Sequence, residues 1–275
     1  MKKLFVTLVA LAVTLISANA ATWVAADRVS TVGKTLLEKN GLPTETSFKV
    51  VDGVADNSQA TVTNTILISS TDLSYAGNDN EVAAVVSNEI GHIVNGQTAK
   101  KKMRELAKAA INNSLSADNL ITSAANSEFV ANKENLNDEK AADITGVDLM
   151  IQAGFNPLAM VVLVTKMPGS TFEAIQGKPS NTERAMNVFD YLTYNYPSKI
   201  TAGYGCQEYR NFLIYADPIV KERNSNAKKL AKFNKEQQKN KAVRTKNIAQ
   251  YKSTGSSSWD VSYELLKSFT SASEQ

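Results

Sequence analysis

The sequence predicts an α+β fold that is mostly helical, with one small sheet near its start and a basic helical arm at its end. Apolar residues recur at helical spacing before Gly41 and again through most of the chain after Asn80. A short zone between them is rich in Thr, Val and Ile, and the stretch from Lys221 to Lys252 holds 11 Lys or Arg against only Glu222 and Glu236. With 275 residues and 43% apolar content the chain can build one sizeable core with an appended arm, which excludes disorder throughout.

At the N-terminus, Met1, Lys2 and Lys3 precede a 13-residue apolar run from Leu4 to Ile16, and Ser17-Ala18-Asn19-Ala20 follows. Charge, apolar run and small residues in that order are the pattern of a secretory signal, with cleavage after Ala20. The run contains Thr7 and Thr14 and is shorter than the roughly 20 residues of a spanning helix. Residues 1–20 therefore read as a signal peptide, with an uncleaved anchor as the alternative, and the expected location is periplasmic or extracellular. Residue 21 is Ala rather than the Cys on which a lipoprotein anchor is built. Cys206 is the single cysteine, so an intramolecular disulfide is excluded; an inert thiol and an intermolecular link both stay open. The formal charge of +3, less Lys2 and Lys3, is +1, so net charge points to no partner.

The first helix is expected from Ala21 to about Asn40, on Val24, Val29, Val32, Leu36 and Leu37, with Gly41-Leu42-Pro43 closing it. Two or three strands are expected from Phe48 to Val51 and within Ala60 to Ser69, with a turn near Asp52-Gly53. From Asn80 the pattern is helical, with breaks expected at Gly154, at Pro157, around Pro168 to Pro179, at Pro197 and near Asp217-Pro218. The segment Lys221 to Lys252 reads as a solvated helix or partly disordered arm, or else as a surface for nucleic acid, cell-wall polymer or anionic lipid. Aromatic residues within it are sparse, Phe233 and Tyr251 alone. A Gly-Ser stretch then leads to a short apolar tail around Trp259 to Phe269 that is expected to dock back.

The informative segment runs from Glu81 to Val94. Val82, Val86, Ile90 and Ile93 form one apolar face, while Asn88, Glu89 and His92 project elsewhere, with 88 and 92 one i, i+4 step apart. Two histidines at that spacing hold a zinc ion and set the glutamate between them as base toward the metal-bound water. Gly91 sits mid-helix, where glycine costs about 1 kcal/mol relative to alanine, so close packing against its backbone is expected. Alone, an Asn-Glu-x-x-His match reads more readily as a structural histidine. Glu139, 47 residues beyond His92, begins a Glu-Lys-Ala-Ala-Asp phrase ending at Asp143, again one helical step, and Ala153-Gly-Phe-Asn-Pro-Leu-Ala159 follows.

Taken jointly, these phrases resemble the HtpX-type and CAAX prenyl protease-type gluzincin zinc metallopeptidases over about Val29 to Tyr194. The resemblance implies a zincin-like fold with residues 21–200 as a metallopeptidase-like domain and 201–275 as a helical, basic extension. It implies His92 and Glu139 as metal ligands, Glu89 as general base and Asp143 as the carboxylate that orients a ligand. It further implies zinc as the cofactor, a protein or peptide as substrate or client, and the strand near Thr65 to Ser69 as the edge that pairs with an extended peptide. Nothing points to a small-molecule cofactor.

Two positions depart from the family's pattern. Asn88 stands where the first histidine is expected, and Lys178 replaces a histidine in Lys178-Pro179 ahead of Glu183-Arg184. His92 is the only histidine, so no other imidazole can substitute. Asparagine offers a neutral amide oxygen, a poor match for zinc. The expectation is a degenerate peptidase that keeps its groove and binds protein segments. An active metalloendopeptidase with an atypical Asn88, His92 and Glu139 site is the alternative, supported by retention of Glu89, His92, Glu139, Asp143 and Arg184. Binding of an anionic polymer by the arm 221–252 is a third reading, unrelated to the groove.

Overall fold

The computed structural model describes residues 23–53, 55, 57, 60–103, 120–169 and 181–272, with backbone alone for 61, 62, 120–135 and 266–272. The signal-like segment 1–20 and Lys178 lie outside the described residues.

The first helix, α1 (Ala25–Asn40), buries Val29, Val32, Leu36 and Leu37 and stops at Gly41, whose φ of 62° is the left-handed conformation that ends helices at least cost in glycine. The Thr-, Val- and Ile-rich zone supplies two strands, β1 (Ser47–Val51) and β2 (Thr65–Ser69), paired in parallel with Ser47 opposite Thr65. Ala60–Thr63, expected within a strand, instead forms a short helix, α2. Parallel strands cannot be joined by a tight hairpin, and α2 sits in the crossover between them. Ser47 N–H donates to Asn64 O at 2.8 Å. That bond sets the phase: the backbone groups of Ile66 and Ile68 turn toward β1, and those of Leu67 turn outward.

A short α3 (Ser70–Leu73) follows, and Ser69 caps it by accepting from Asp72 N–H. Next comes α4 (Asp79–Val94), capped by Asn78, whose side chain accepts from the N–H groups of Asn80 and Glu81. The long α5 (Leu120–Ala153) packs along α4. The two helices meet at glycines, as Gly91 leads one to expect. A Cβ on Gly91 would lie 2.5 Å from the Ala142 carbonyl oxygen, and one on Gly146 would lie 3.0 Å from Ser87 O. The core spreads from this crossing through Leu36, Val82, Val86, Met150 and the wholly apolar centre of α6 (Leu158–Lys166) to Leu192 of α7 (Thr182–Asn195).

The expected breaks at Gly154, Pro157 and Pro197 are present, but Pro218 lies inside α8 (Gln207–Ser225) without ending it. Pro218 lacks the N–H that would bond the carbonyl of Ile214, and both residues are exposed, so water can take that carbonyl. The basic arm is α9 (Ala227–Thr254), and it is docked on the body rather than free. It buries Gln237, Arg244 and Tyr251, and Arg244 Nη1 donates to Ala141 O of α5 at 3.1 Å. Large aliphatics are few on this helix, so long amphipathic side chains do the packing. The final α10 (Ser258–Ala272) folds back beside 97–103: Gly96 faces Ser257 and Trp259, and Lys100 lies 5.9 Å over the Trp259 ring. Among the described residues no helix is long and apolar enough to cross a membrane.

Candidate active site

Two helices present the site. Along α4, Asn88 and His92 rise one turn apart, and along α5, Glu139 and Asp143 do the same. Close approach at Gly91 and Gly146 brings the two pairs together. His92 Nε2 lies 3.2 Å from Glu139 Oε1. Asn88 Nδ2 donates to Asp143 Oδ1 at 2.8 Å, and the Asn88 side chain also hydrogen-bonds Glu139.

Arg184, from the first turn of α7, closes the cluster. Its Nε and Nη2 grip Asp143 at 2.9 and 2.8 Å, and Nη2 also lies 2.9 Å from Glu139 Oε2. Asp143 is fully buried, so this two-point grip supplies the charge partner that such a carboxylate requires. The structure thus gathers Asn88, Glu89, His92, Glu139, Asp143 and Arg184 in one place.

The third wall is the sheet edge, and its key residue carried no signal in the sequence. Asn57, buried in the crossover, accepts from Leu67 N–H at 2.7 Å and donates to Leu67 O at 2.9 Å. The same Nδ2 donates to Glu89 Oε2 at 2.8 Å. Asn57 therefore treats the outward edge of β2 as a paired strand would, and ties it to Glu89. Asp72 of α3 is the second unforeseen member, close enough for its charge to act on Glu89 and Arg184.

The charges respond to this setting. Burial pushes the Glu89 carboxyl up to about 7, against the opposing pull of the charged His92 and the Asn57 hydrogen bond. Burial would lower His92, but the hydrogen bond and charge of Glu139, helped by Glu89 and Asp143, raise it to about 9. Glu139 is the converse case: burial would raise it, yet His92 and Arg184 hold it down at about 2. Burial and the Glu139 charge raise Asp72; burial would lower Arg184, but Asp143, Glu139 and Asp72 around it raise it further above its ordinary value.

Residues 24–231 match the sequence family described as Peptidase family M48. The chain belongs to peptidase family M48. The match covers most of the chain and reaches past Tyr194 through α8 to the first turn of α9. No curated protein and no solved structure matches the chain. Family M48 peptidases depend on zinc. In this member two donors are well placed: 3.2 Å between His92 Nε2 and Glu139 Oε1 suits a hydrogen bond, and is also about the separation of two tetrahedral ligands held roughly 2.1 Å from one ion. The third is deficient. Asn88 turns its NH2 group toward Asp143 and Glu139, a donor where a zinc ligand must offer a lone pair. Among the described residues no group of three His, Cys, Asp or Glu side chains can hold a metal ion. The donor set does not fit the zinc of family M48.

Proposed function

We propose that this protein is a degenerate M48 peptidase that binds an extended protein segment along β2 without cleaving it. The observation that carries this reading is Asn88, which spends its amide on the carboxylates of Asp143 and Glu139 instead of completing a three-ligand metal site. Without an activated water, the Glu89 carboxyl has nothing to deprotonate, and its raised pKa of about 7 leaves it largely neutral in mildly acidic solution.

Support for segment binding comes from the β2 edge. Leu67 presents its N–H and C=O outward, and an amide already sits against them in the form of the Asn57 side chain. A peptide strand makes the same pair of hydrogen bonds when it adds to an edge. The reading takes the chain as exported, on the signal-like residues 1–20, and its client as an unfolded or extended region of another exported protein.

An active metalloendopeptidase is the second reading, and one observation favours it: the spacing of His92 and Glu139, which an ion could bridge. One sample separates the two. The purified chain from Ala21 onward is mixed with fluorescent casein, an unstructured protein, in the presence of zinc or of a chelator. The proposal expects a rise in anisotropy that is equal in both conditions, with intact casein by mass spectrometry. Cleavage that the chelator abolishes, and that Glu89→Gln also abolishes, would overturn it in favour of the enzyme.

A further inference from the structure

Helix α9 has two faces of opposite character. On the inner side, Phe233 stacks edge-on against Tyr194, Gln237 and Tyr251 are buried, and Arg244 reaches the α5 backbone. On the outer side stand Lys228, Lys232, Lys235, Lys239 and Lys246, all exposed. At 100° per residue these five fall within about 60° of one another and form a ridge about 27 Å long. Their spacing of four, three, four and seven residues is that of a single helical face.

Among the described residues one acid flanks the ridge without pairing with it. Within 221–252 the acids are Glu222, which is held by Lys229, and Glu236, which stands on the flank of the ridge, one turn from Lys232 and about 40° around the helix from it. Among the described residues none of the five lysines has an ion-pair partner. Five unpaired ammonium groups in a line repel one another, and a single chain of anions relieves all of them at once.

The same geometry selects among anionic partners. Helix α9 turns its apolar side to the protein body, so it has no face left to enter a lipid surface. Phe233 is taken by Tyr194 and Arg223, and Tyr251 is buried, so neither ring of α9 is free to stack on a base. Lysine is a compact point charge that reads a phosphate by charge alone, without the planar fork of arginine. We propose that the outer face of α9 binds a linear phosphate polymer through its backbone charges, independently of the groove beside β2.

Deleting the arm is the wrong test, because α9 covers the body; charge-neutral substitution is the right one. Long-chain inorganic polyphosphate is titrated into the full chain at 50 and 200 mM salt. Five phosphate contacts on a flexible strand give a log–log salt slope of roughly −3.5, so affinity should fall about a hundredfold between those two concentrations. Lys→Gln at all five ridge positions should abolish binding and the salt slope. Lys→Arg at the same five should restore both, which removes misfolding as an explanation. Lys→Gln at Lys34, Lys39, Lys49, Lys101 and Lys199, exposed lysines elsewhere, should leave binding intact. Equal loss in that control set would reduce the effect to net charge and sink the proposal. So would preference for anionic vesicles over polyphosphate, or tighter binding to single-stranded DNA than to polyphosphate of equal charge.

Discussion

The Asn88 carboxamide nitrogen sits 2.8 Å from Asp143 Oδ1 and donates to it. Arg184 grips Asp143 at two points, so the carboxylate is held in place whatever side chain stands at position 88. Replacing Asn88 by His then supplies the missing nitrogen donor while letting the other ring nitrogen donate to Asp143.

Asn88→His should therefore bind zinc at least about a hundredfold more tightly than the native chain, since loss of even an outer partner of a metal ligand costs 10–100-fold. Calorimetric titration of metal-stripped protein checks this, with Asn88→His plus Glu139→Ala as the comparison. Equal affinity in the native chain and Asn88→His would mean that Asn88 is not what limits the site.

His92 gives a second, spectroscopic handle, because as the chain's single histidine it supplies one imidazole signal. Its NMR titration should centre near 9, and Glu139→Gln should bring it back toward 6.5. The same shifts carry a sign for stability. The raised His92 contributes stability in full below 6.5 that is lost as pH climbs through about 9, and the raised Glu89 does so below 4.5 with loss through about 7. The lowered Glu139 contributes stability above 4.5 that is lost as pH falls toward about 2. Urea midpoints should therefore be highest at about pH 5 and decline on both sides.

The division between what the sequence discloses and what it hides follows from these residues. Asn88, His92, Glu139 and Asp143 are legible because helical periodicity converts spacing into position, and both pairs lie one turn apart. Gly91 is legible for the same reason, as a helix glycine whose cost implied close packing, found against Ala142. Asn57 is not, since its role depends on a crossover that returns to the outer edge of β2, and no local pattern encodes that return. Composition also misreads Ala60–Thr63, and it gives α9 as a largely solvated helix without showing how its inner face docks. A β-prone tetrad becomes a turn of helix when a parallel pair must be joined, and a basic helix docks by arginine, glutamine and tyrosine instead of leucine.

Arg184 is expected to matter more for folding than any other residue of the cluster. It is the charge partner of the fully buried Asp143 and also contacts Glu139. Arg184→Ala strands the Asp143 charge and should cost about 3–5 kcal/mol in urea unfolding. Arg184→Lys keeps the charge but loses the two-point grip, and should recover only part of that loss. A cost of Arg184→Ala below about 1 kcal/mol would mean that water replaces the guanidinium and that Asp143 is less isolated than its burial indicates.

Asn57 offers the sharpest test of the groove. Its side chain makes both hydrogen bonds that an added strand would make at Leu67, so an incoming segment has to displace it. Asn57→Ala removes that occupant. The edge of Leu67 then gains access to water, so the stability cost should stay near 1 kcal/mol. Affinity for an extended peptide should rise, because the free protein no longer satisfies the edge with its own amide. Asn57→Asp makes the opposite prediction. A carboxylate in that place can accept from Leu67 N–H but cannot donate to Leu67 O, and it faces Glu89 2.8 Å from where the amide nitrogen stood. The variant should loosen the crossover and raise the Glu89 pKa further, by like-charge repulsion. Anisotropy titrations of one unstructured peptide against the three forms should therefore show tighter binding for Asn57→Ala than for the native chain. Weaker binding by Asn57→Ala would make Asn57 part of the recognition surface, holding the segment alongside Leu67 in place of yielding to it.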